Sequence, residues 1–102
     1  MEKVISIDGR QVRFKATAAL PLYYATHFNS DVLANALNMN DNKGENTIQM
    51  FRMIWTMAYC ADKTIKPMEQ WFEEFENFPV YKIFGELNDM FWGTVKGTTE
   101  KN

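Results

Sequence analysis

The stretch from Asn46 to Asp62 is the longest apolar run in the chain, and it constrains the fold more than any other feature. Its apolar residues recur at the i, i+3, i+4, i+7 spacing of a helical face, which predicts one helix of about four turns. The first face contains Phe51, Ile54, Trp55 and Ala58, a second stripe contains Met50, Met53, Met57 and Cys60, and a narrow polar seam contains Gln49, Arg52 and Thr56. A helix this apolar is covered on most sides, either by its own domain or by a partner.

The same stretch is not a membrane span. It covers only 17 residues and includes Arg52, whereas a spanning helix needs about 20 predominantly apolar residues. Asn46 is a suitable N-cap, and Gln49 three residues later can complete a capping box. We therefore expect a buried helix in a protein that does not associate with membranes.

Length and charge narrow the function classes. A chain of 102 residues is one domain, and its net charge of −2 gives no support for nucleic-acid binding by bulk electrostatics. The charge is uneven, because residues 1–15 contain four basic and two acidic side chains, whereas residues 67–92 contain six acidic side chains and one lysine. This asymmetry is typical of a solvated helix face, and it could also orient a partner.

The cysteine content and the N-terminal segment indicate the compartment. A single cysteine, Cys60, excludes an internal disulfide and fits a reducing environment. Residues 1–6 have no apolar core of signal-peptide length. We therefore expect a cytoplasmic protein.

Residues 3–15 predict a β-hairpin. Two short segments rich in β-branched and aromatic residues flank Asp8-Gly9, the dipeptide that suits a type I′ turn. In the second segment Val12 and Phe14 alternate with polar residues, which predicts a strand with one buried face. A hairpin alone is marginally stable in water, so helices must cover this face.

Residues 18–92 predict the helical part of the same domain, with a flexible tail over residues 93–102. The pattern indicates helices at Leu20–Phe28 and Val32–Met39, the second with Leu33, Ala36 and Leu37 facing inward. After a polar loop over residues 38–46 and the central helix, Pro67 begins a short helix and a long amphipathic helix follows Pro79. Gly85 lies inside that last helix, and a close approach to another backbone would explain it. The predicted fold class is mainly α with a small N-terminal hairpin (α+β), with about five helices around the central one.

The catalytic inventory is small. His27 is the single histidine, and Cys60 lies on an apolar helix, so neither forms a catalytic or zinc-binding constellation with the other. Glu73, Glu74 and Glu76 have the spacing of an exposed helix face. No glycine-rich phosphate loop or nucleophile elbow occurs. We expect no enzymatic activity, no cofactor and no metal.

The remaining candidates are apolar surfaces. Seven methionines is a large number for this length, and methionine serves both as a core gap-filler and as an adaptable contact on binding surfaces. The sharper hypothesis places the methionine stripe of the central helix in a groove or an oligomer interface. The candidate partner-binding residues are Met50, Met53, Met57, Trp71, Phe75, Phe84 and Phe91.

The order of several segments resembles a known family. The hairpin with Asp-Gly is followed by Arg-Phe-Lys-Ala-Thr-Ala-Ala-Leu-Pro-Leu-Tyr-Tyr at 13–24 and His-Phe-Asn-Ser-Asp at 27–31, and later by Ile-Trp-Thr-Met-Ala-Tyr-Cys-Ala-Asp at 54–62 and Trp-Phe-Glu-Glu-Phe at 71–75. Over residues 5–92 this resembles the small tail assembly chaperones of long-tailed phages and prophages of Gram-positive bacteria. The segment at 54–62 carries most of the resemblance.

The resemblance implies a non-enzymatic role in the cytoplasm of the bacterial host. Such chaperones bind the tape-measure protein and recruit tail-tube protein during tail assembly, so these two proteins would be the partners. A homo-oligomer would be a further form of association. The alternative is a small regulatory or structural helical protein that self-associates through the same central helix and has no assembly client.

Overall fold

The computed structural model describes residues 1–37 and 43–96 of the chain, with side chains for residues 1–34 and 47–94. The elements in this part are β1 (Glu2–Ile7), β2 (Arg10–Lys15), α1 (Leu20–Phe28), α2 (Val32–Leu37), α3 (Lys43–Ala61), α4 (Met68–Phe72) and α5 (Val80–Lys96). The predicted fold class is confirmed: an N-terminal hairpin precedes five helices, and α3 contacts the other helices and β2.

The hairpin forms as its turn residues require. β1 and β2 pair antiparallel along their whole length. Asp8 and Gly9 both have positive φ, of 54° and 79°, which is the geometry of a two-residue type I′ turn. Val12 and Phe14 are buried while their neighbours in β2 are exposed, so the predicted alternation is confirmed. This buried face lies against α3.

Helix α1 has the predicted limits, because strong local signals mark both ends. Pro21 occupies its first turn, where the missing N–H is tolerated. Asn29 ends it with a left-handed conformation (φ 50°), and the Asn29 N–H donates a hydrogen bond to the Ala25 carbonyl. Asparagine is one of the few residues other than glycine that adopts this conformation readily.

In α2 the predicted inward face is wrong at Leu33. The Asp31 carboxylate accepts hydrogen bonds from the N–H groups of Leu33 and Ala34, so it caps the helix and fixes its first turn. Val32 then faces the core and Leu33, about 100° further round, is 40% exposed. Ala36 and Leu37 lie where side chains are not described. Of the predicted loop over residues 38–46, residues 38–42 lie outside the described residues, and the prediction is wrong for residues 43–46, which are helical.

Helix α3 begins at Lys43, three residues before the predicted cap, so Asn46 lies inside the helix and the capping prediction is wrong. It ends at Ala61, and Asp62 turns the chain. Packing explains why this helix is so apolar. It contacts β2, α1 and α5 most extensively, and α4 and α2 as well. From Met53 to Ala58 the central helix is therefore enclosed by its own domain, whereas Ile48 near its start is 47% exposed.

Helices α4 and α5 complete the core. Pro67 precedes α4 as its N-cap residue. Helix α5 continues to Lys96, so residues 93–96 are helical and the predicted flexible tail begins too early. The Met1 side chain lies beside Gly93, and residues 97–102 lie outside the described residues. Gly85 is exposed, and a Cβ there would meet no atom within 4 Å, so the predicted close backbone approach is wrong.

The basic hairpin contacts the acidic segment of its own chain. Arg10 Nη2 lies 3.5 Å from Glu74 Oε1, and the Glu76 N–H donates a 3.0 Å hydrogen bond to Asp8 Oδ2. The Arg10 guanidinium also stacks 4.4 Å from the centre of the Phe75 ring. Part of the charge asymmetry therefore stabilises the fold itself.

Candidate interaction surfaces

Most of the predicted partner-binding residues belong to the core. Met53, Met57 and Phe91 are fully buried, and Trp71 and Phe75 are nearly so. The expectation that the methionine stripe of α3 faces a groove is therefore wrong for Met53 and Met57, because the hairpin and the other helices cover this helix. These five side chains cannot contact a partner while the domain is folded.

The other two predicted residues are accessible in part. Met50 on α3 and Phe84 on α5 are each half-buried. Phe84 packs against the core cluster through its covered side. A role for Met50 and Phe84 in partner binding stays a prediction.

Two of the three residues of the polar seam of α3 are inside the molecule, and Arg52 is half-buried. Gln49 and Thr56 are both buried. Thr56 Oγ1 donates a hydrogen bond to the Arg52 carbonyl one turn earlier, so its hydroxyl is satisfied within the helix. Gln49 Oε1 has no hydrogen-bond partner within the described residues. Within the described part of the chain, the packing around α3 therefore leaves this oxygen atom unsatisfied.

An exposed apolar surface lies between α1 and α2. The short turn at residues 29–31 joins these helices, and both line a groove of about 550 Å³. We call this surface the α1–α2 groove; it is lined by Pro21, Leu22, Ala25, Asn29, Ser30, Asp31, Val32 and Leu33. Leu22 is 69% exposed and Leu33 is 40% exposed, so two leucines offer their side chains to solvent at this groove.

A second surface lies where α1 crosses α3. This aromatic cleft has a volume of about 210 Å³ and is lined by His27, Phe28, Trp55, Tyr59, Ile65, Pro67 and Met68. The Trp55 and Tyr59 rings stack with centroids 5.2 Å apart, and the His27 ring meets both edge-on. Trp55 Nε1–H donates a 2.9 Å hydrogen bond to the Lys66 carbonyl. Ring contacts therefore tie the walls of this cleft to one another, and one hydrogen bond ties them to the segment after α3.

Cations lie beside this cleft on aromatic faces. The Arg52 guanidinium lies 5.4 Å from the centre of the Phe28 ring. Lys63 Nζ lies over the Tyr23 and Tyr59 rings and donates a hydrogen bond to the Cys60 carbonyl. Such contacts stabilise a cation without a carboxylate partner.

Burial and hydrogen bonding shift the pKa values of Cys60 and Asp62. Burial raises the pKa of the Cys60 thiol, which disfavours the thiolate that a nucleophile requires. Hydrogen bonds from Thr64 lower the pKa of Asp62 at the end of α3. Across residues 1–37 and 43–96, no three His, Cys, Asp or Glu side chains are grouped to hold a metal ion.

Comparisons of the chain with protein-family models, with curated proteins and with solved structures found no match. Among the described helices, none combines the length and apolar character needed to cross a bilayer.

The sequence interpretation missed Leu22 as an exposed residue. The signal was present: Leu22, Ala25 and Asn29 are spaced i, i+3, i+7 and fall on a stripe distinct from buried Leu20 and Tyr24. Two apolar residues on that stripe of a short helix indicate a contact surface as readily as a core.

Proposed function

We propose that the protein is a non-enzymatic phage tail assembly chaperone of the host cytoplasm, which binds the tape-measure protein and brings tail-tube protein to it. The order of segments over residues 5–92 supports this proposal through its resemblance to that family. The fold is compatible with the role, because it is largely helical and leaves an open apolar groove.

The α1–α2 groove is the observation that carries the proposal. A helical client binds such a surface by inserting apolar side chains at i, i+3, i+4 and i+7 spacing. Leu22 and Leu33 both line the groove, one on each helix. A tape-measure helix with an apolar stripe would therefore contact both leucines at once.

The expected free energies of binding suit a chaperone that must release its client. Fully burying one leucine contributes about 1.5–3 kcal/mol. Loss of either contact should therefore weaken binding by roughly 10- to 150-fold. Two such contacts, less the cost of ordering both partners, give a reversible complex.

Binding to fragments of the tape-measure protein from the same genome tests the proposal. Fluorescence anisotropy with labelled helical fragments would measure the affinity of the wild type and of Leu22→Glu and Leu33→Glu. We expect binding by the wild type and at least a tenfold loss in each variant, because a carboxylate would be buried against an apolar helix.

Tyr81→Glu is the matched control, since Tyr81 has the same 69% exposure as Leu22 but lies on α5. It should bind like the wild type. A wild-type protein that ignores every tape-measure fragment would contradict the proposal and favour the alternative without a client. Binding that survives both leucine substitutions would move the client to another surface.

A further inference from the structure

We propose that the outer edge of β1 pairs with the same edge of a second copy of this chain, about a twofold axis at Val4, to give a four-stranded antiparallel sheet. This inference goes beyond the proposed function and does not depend on it. It rests on the hydrogen-bond pattern of the hairpin, on the burial of its two strands, and on the charges along β1.

The hydrogen-bond pattern identifies which backbone groups are free. Met1 and Ala16 exchange two backbone hydrogen bonds, of 2.9 and 3.1 Å. In an antiparallel pair, hydrogen-bonded and non-hydrogen-bonded positions alternate. The N–H and C=O groups of Glu2, Val4 and Ser6 therefore point away from β2, and within residues 1–37 and 43–96 they make no other hydrogen bond.

The two edges of the hairpin differ in what lies next to them. The edge of β2 runs beside Ala58, Asp62 and Ile65 at the end of α3 and the segment after it. Helix α5 contacts β1, and a groove of about 370 Å³ at the start of this strand is lined by Glu2, Lys3, Glu86 and Asp89. Beyond that groove Val4 and Ser6 are exposed. The middle of the β1 edge is therefore accessible to a partner strand.

Lys3 places one charge on β1, but the side chains of the opposite face of the strand give the edge little protection against pairing. Exposed edges are usually blocked by charges, proline or bulges. Glu2 is neutralised by Arg13 on the neighbouring strand, at 2.9 Å, and this contact lowers the pKa of Glu2. Val4, at the middle of the edge, is apolar and 53% exposed.

Charge selects one register for self-pairing. The outward-facing N–H and C=O groups of β1 in one copy must meet the same groups in the second copy. The twofold axis therefore passes through one of the residues from 2 to 6. An axis at Glu2 or Lys3 opposes two like charges, and an axis at Ile5 places Glu2 opposite the second copy's Asp8. An axis at Ser6 would engage the turn, where Asp8 has a left-handed φ of 54°.

Only the axis at Val4 pairs most of the strand without opposing like charges. It places Glu2 opposite the second copy's Ser6, and Lys3 opposite the second copy's Ile5. The two Val4 side chains then meet at the axis on the outer face of the sheet. Edge pairing of one short strand buries less than the 1,200–2,000 Å² of a stable interface, so we expect a dissociation constant on the order of 10–100 µM.

Sedimentation velocity on the full chain tests self-association directly. Between about 5 and about 500 µM, which brackets the expected affinity, the mass should rise from 11.9 kDa toward twice that value. Val4→Pro should abolish the shift, because it removes an outward-facing N–H and leaves the bonds to β2 intact. Circular dichroism would establish that this variant is folded.

Disulfide trapping tests the register. Across the proposed axis the two Val4 Cα atoms lie about 5.5 Å apart, which suits a disulfide, whereas the two Ser6 Cα atoms lie roughly 14 Å apart. Cys60 is buried, so an introduced cysteine is the accessible thiol. Oxidation should convert Val4→Cys to a covalent dimer at least tenfold faster than Ser6→Cys.

Three results would overturn the inference. They are a wild type that stays monomeric over the whole concentration range, a dimer that persists in folded Val4→Pro, and cross-linking of Ser6→Cys that matches Val4→Cys.

Discussion

The central helix α3 and the short helix α1 use their apolar residues in opposite ways. In α3 the methionines at 53 and 57 are fully buried, although the sequence suggested a surplus. In α1 a leucine is exposed beside a proline, although the helix is only nine residues long. The difference is the number of neighbours: α3 contacts five other elements, whereas α1 contacts chiefly α3 and α2.

The comparison teaches that apolar content does not predict an interface by itself. An element at the centre of a small domain has its apolar sides covered by the chain. A short element at the edge has an uncovered side, and even one apolar residue there is available to a partner. Four substitutions would break or sharpen this contrast.

The largest effect is expected for Met53→Glu. Met53 has no exposed surface, so the substitution buries a carboxylate without a partner and should lower the free energy of unfolding by about 4 kcal/mol or more. Chemical denaturation would measure this. Leu22→Glu on α1 is the control and should change stability by less than about 0.5 kcal/mol. Similar effects at the two positions would remove the contrast between the helices.

Asn29→Ala tests how the end of α1 holds the α1–α2 groove together. Because Asn29 has a left-handed backbone, alanine there should cost about 1–2 kcal/mol. Asn29→Gly should be nearly neutral, since glycine adopts this conformation freely. Thermal unfolding would compare the three proteins. Equal losses in both variants would show that the asparagine side chain matters more than its backbone.

Gln49→Met tests how tightly α3 is enclosed. Its Oε1 is buried without a hydrogen-bond partner in the described part of the chain, so an apolar side chain of similar size should raise the free energy of unfolding by about 1 kcal/mol. Urea titration would measure it, with Gln70→Met at an exposed position as the control. A loss of stability would indicate that this amide makes a contact the packing requires.

The smallest effect is expected for Gly85→Ala on α5. A Cβ at this exposed helical position meets open space, so alanine should stabilise the domain by about 0.5–1 kcal/mol through helix propensity. Gly9→Ala is the opposing control. Because Gly9 has a φ of 79°, alanine at this position should destabilise the domain. Thermal denaturation of both variants would measure the two changes in stability. A loss of stability in Gly85→Ala would show that α5 requires glycine at this position.

Local chemistry made part of this fold predictable. Asp8-Gly9 specifies a tight turn, and the limits of α1 follow from Pro21 and from a residue that tolerates a left-handed conformation at its end. These signals act within a few residues, so they survive whatever packs around them. The fold class follows from the same kind of evidence.

Burial was not predictable in the same way. Whether Met57 faces the core depends on where distant elements pack against α3. Whether Leu33 faces the core depends also on which residue begins α2 after the cap at Asp31. The candidate surface was therefore misplaced on α3, and the α1–α2 groove emerged only once both helices were positioned. A glycine such as Gly85 has a similar ambiguity, since its sequence context cannot tell close packing from open space.

The contact between the hairpin and the far end of the chain bears on synthesis. The Asp8 carboxylate binds the backbone of Glu76, and Met1 rests beside Gly93. The hairpin makes these two contacts only after residues 76 and 93 have been synthesised, whereas α3, which covers its buried face, is available earlier. Because contacts between residues so distant in sequence form slowly, we expect the hairpin to dock on α3 before it is tied to α5 and to the segment around Glu76.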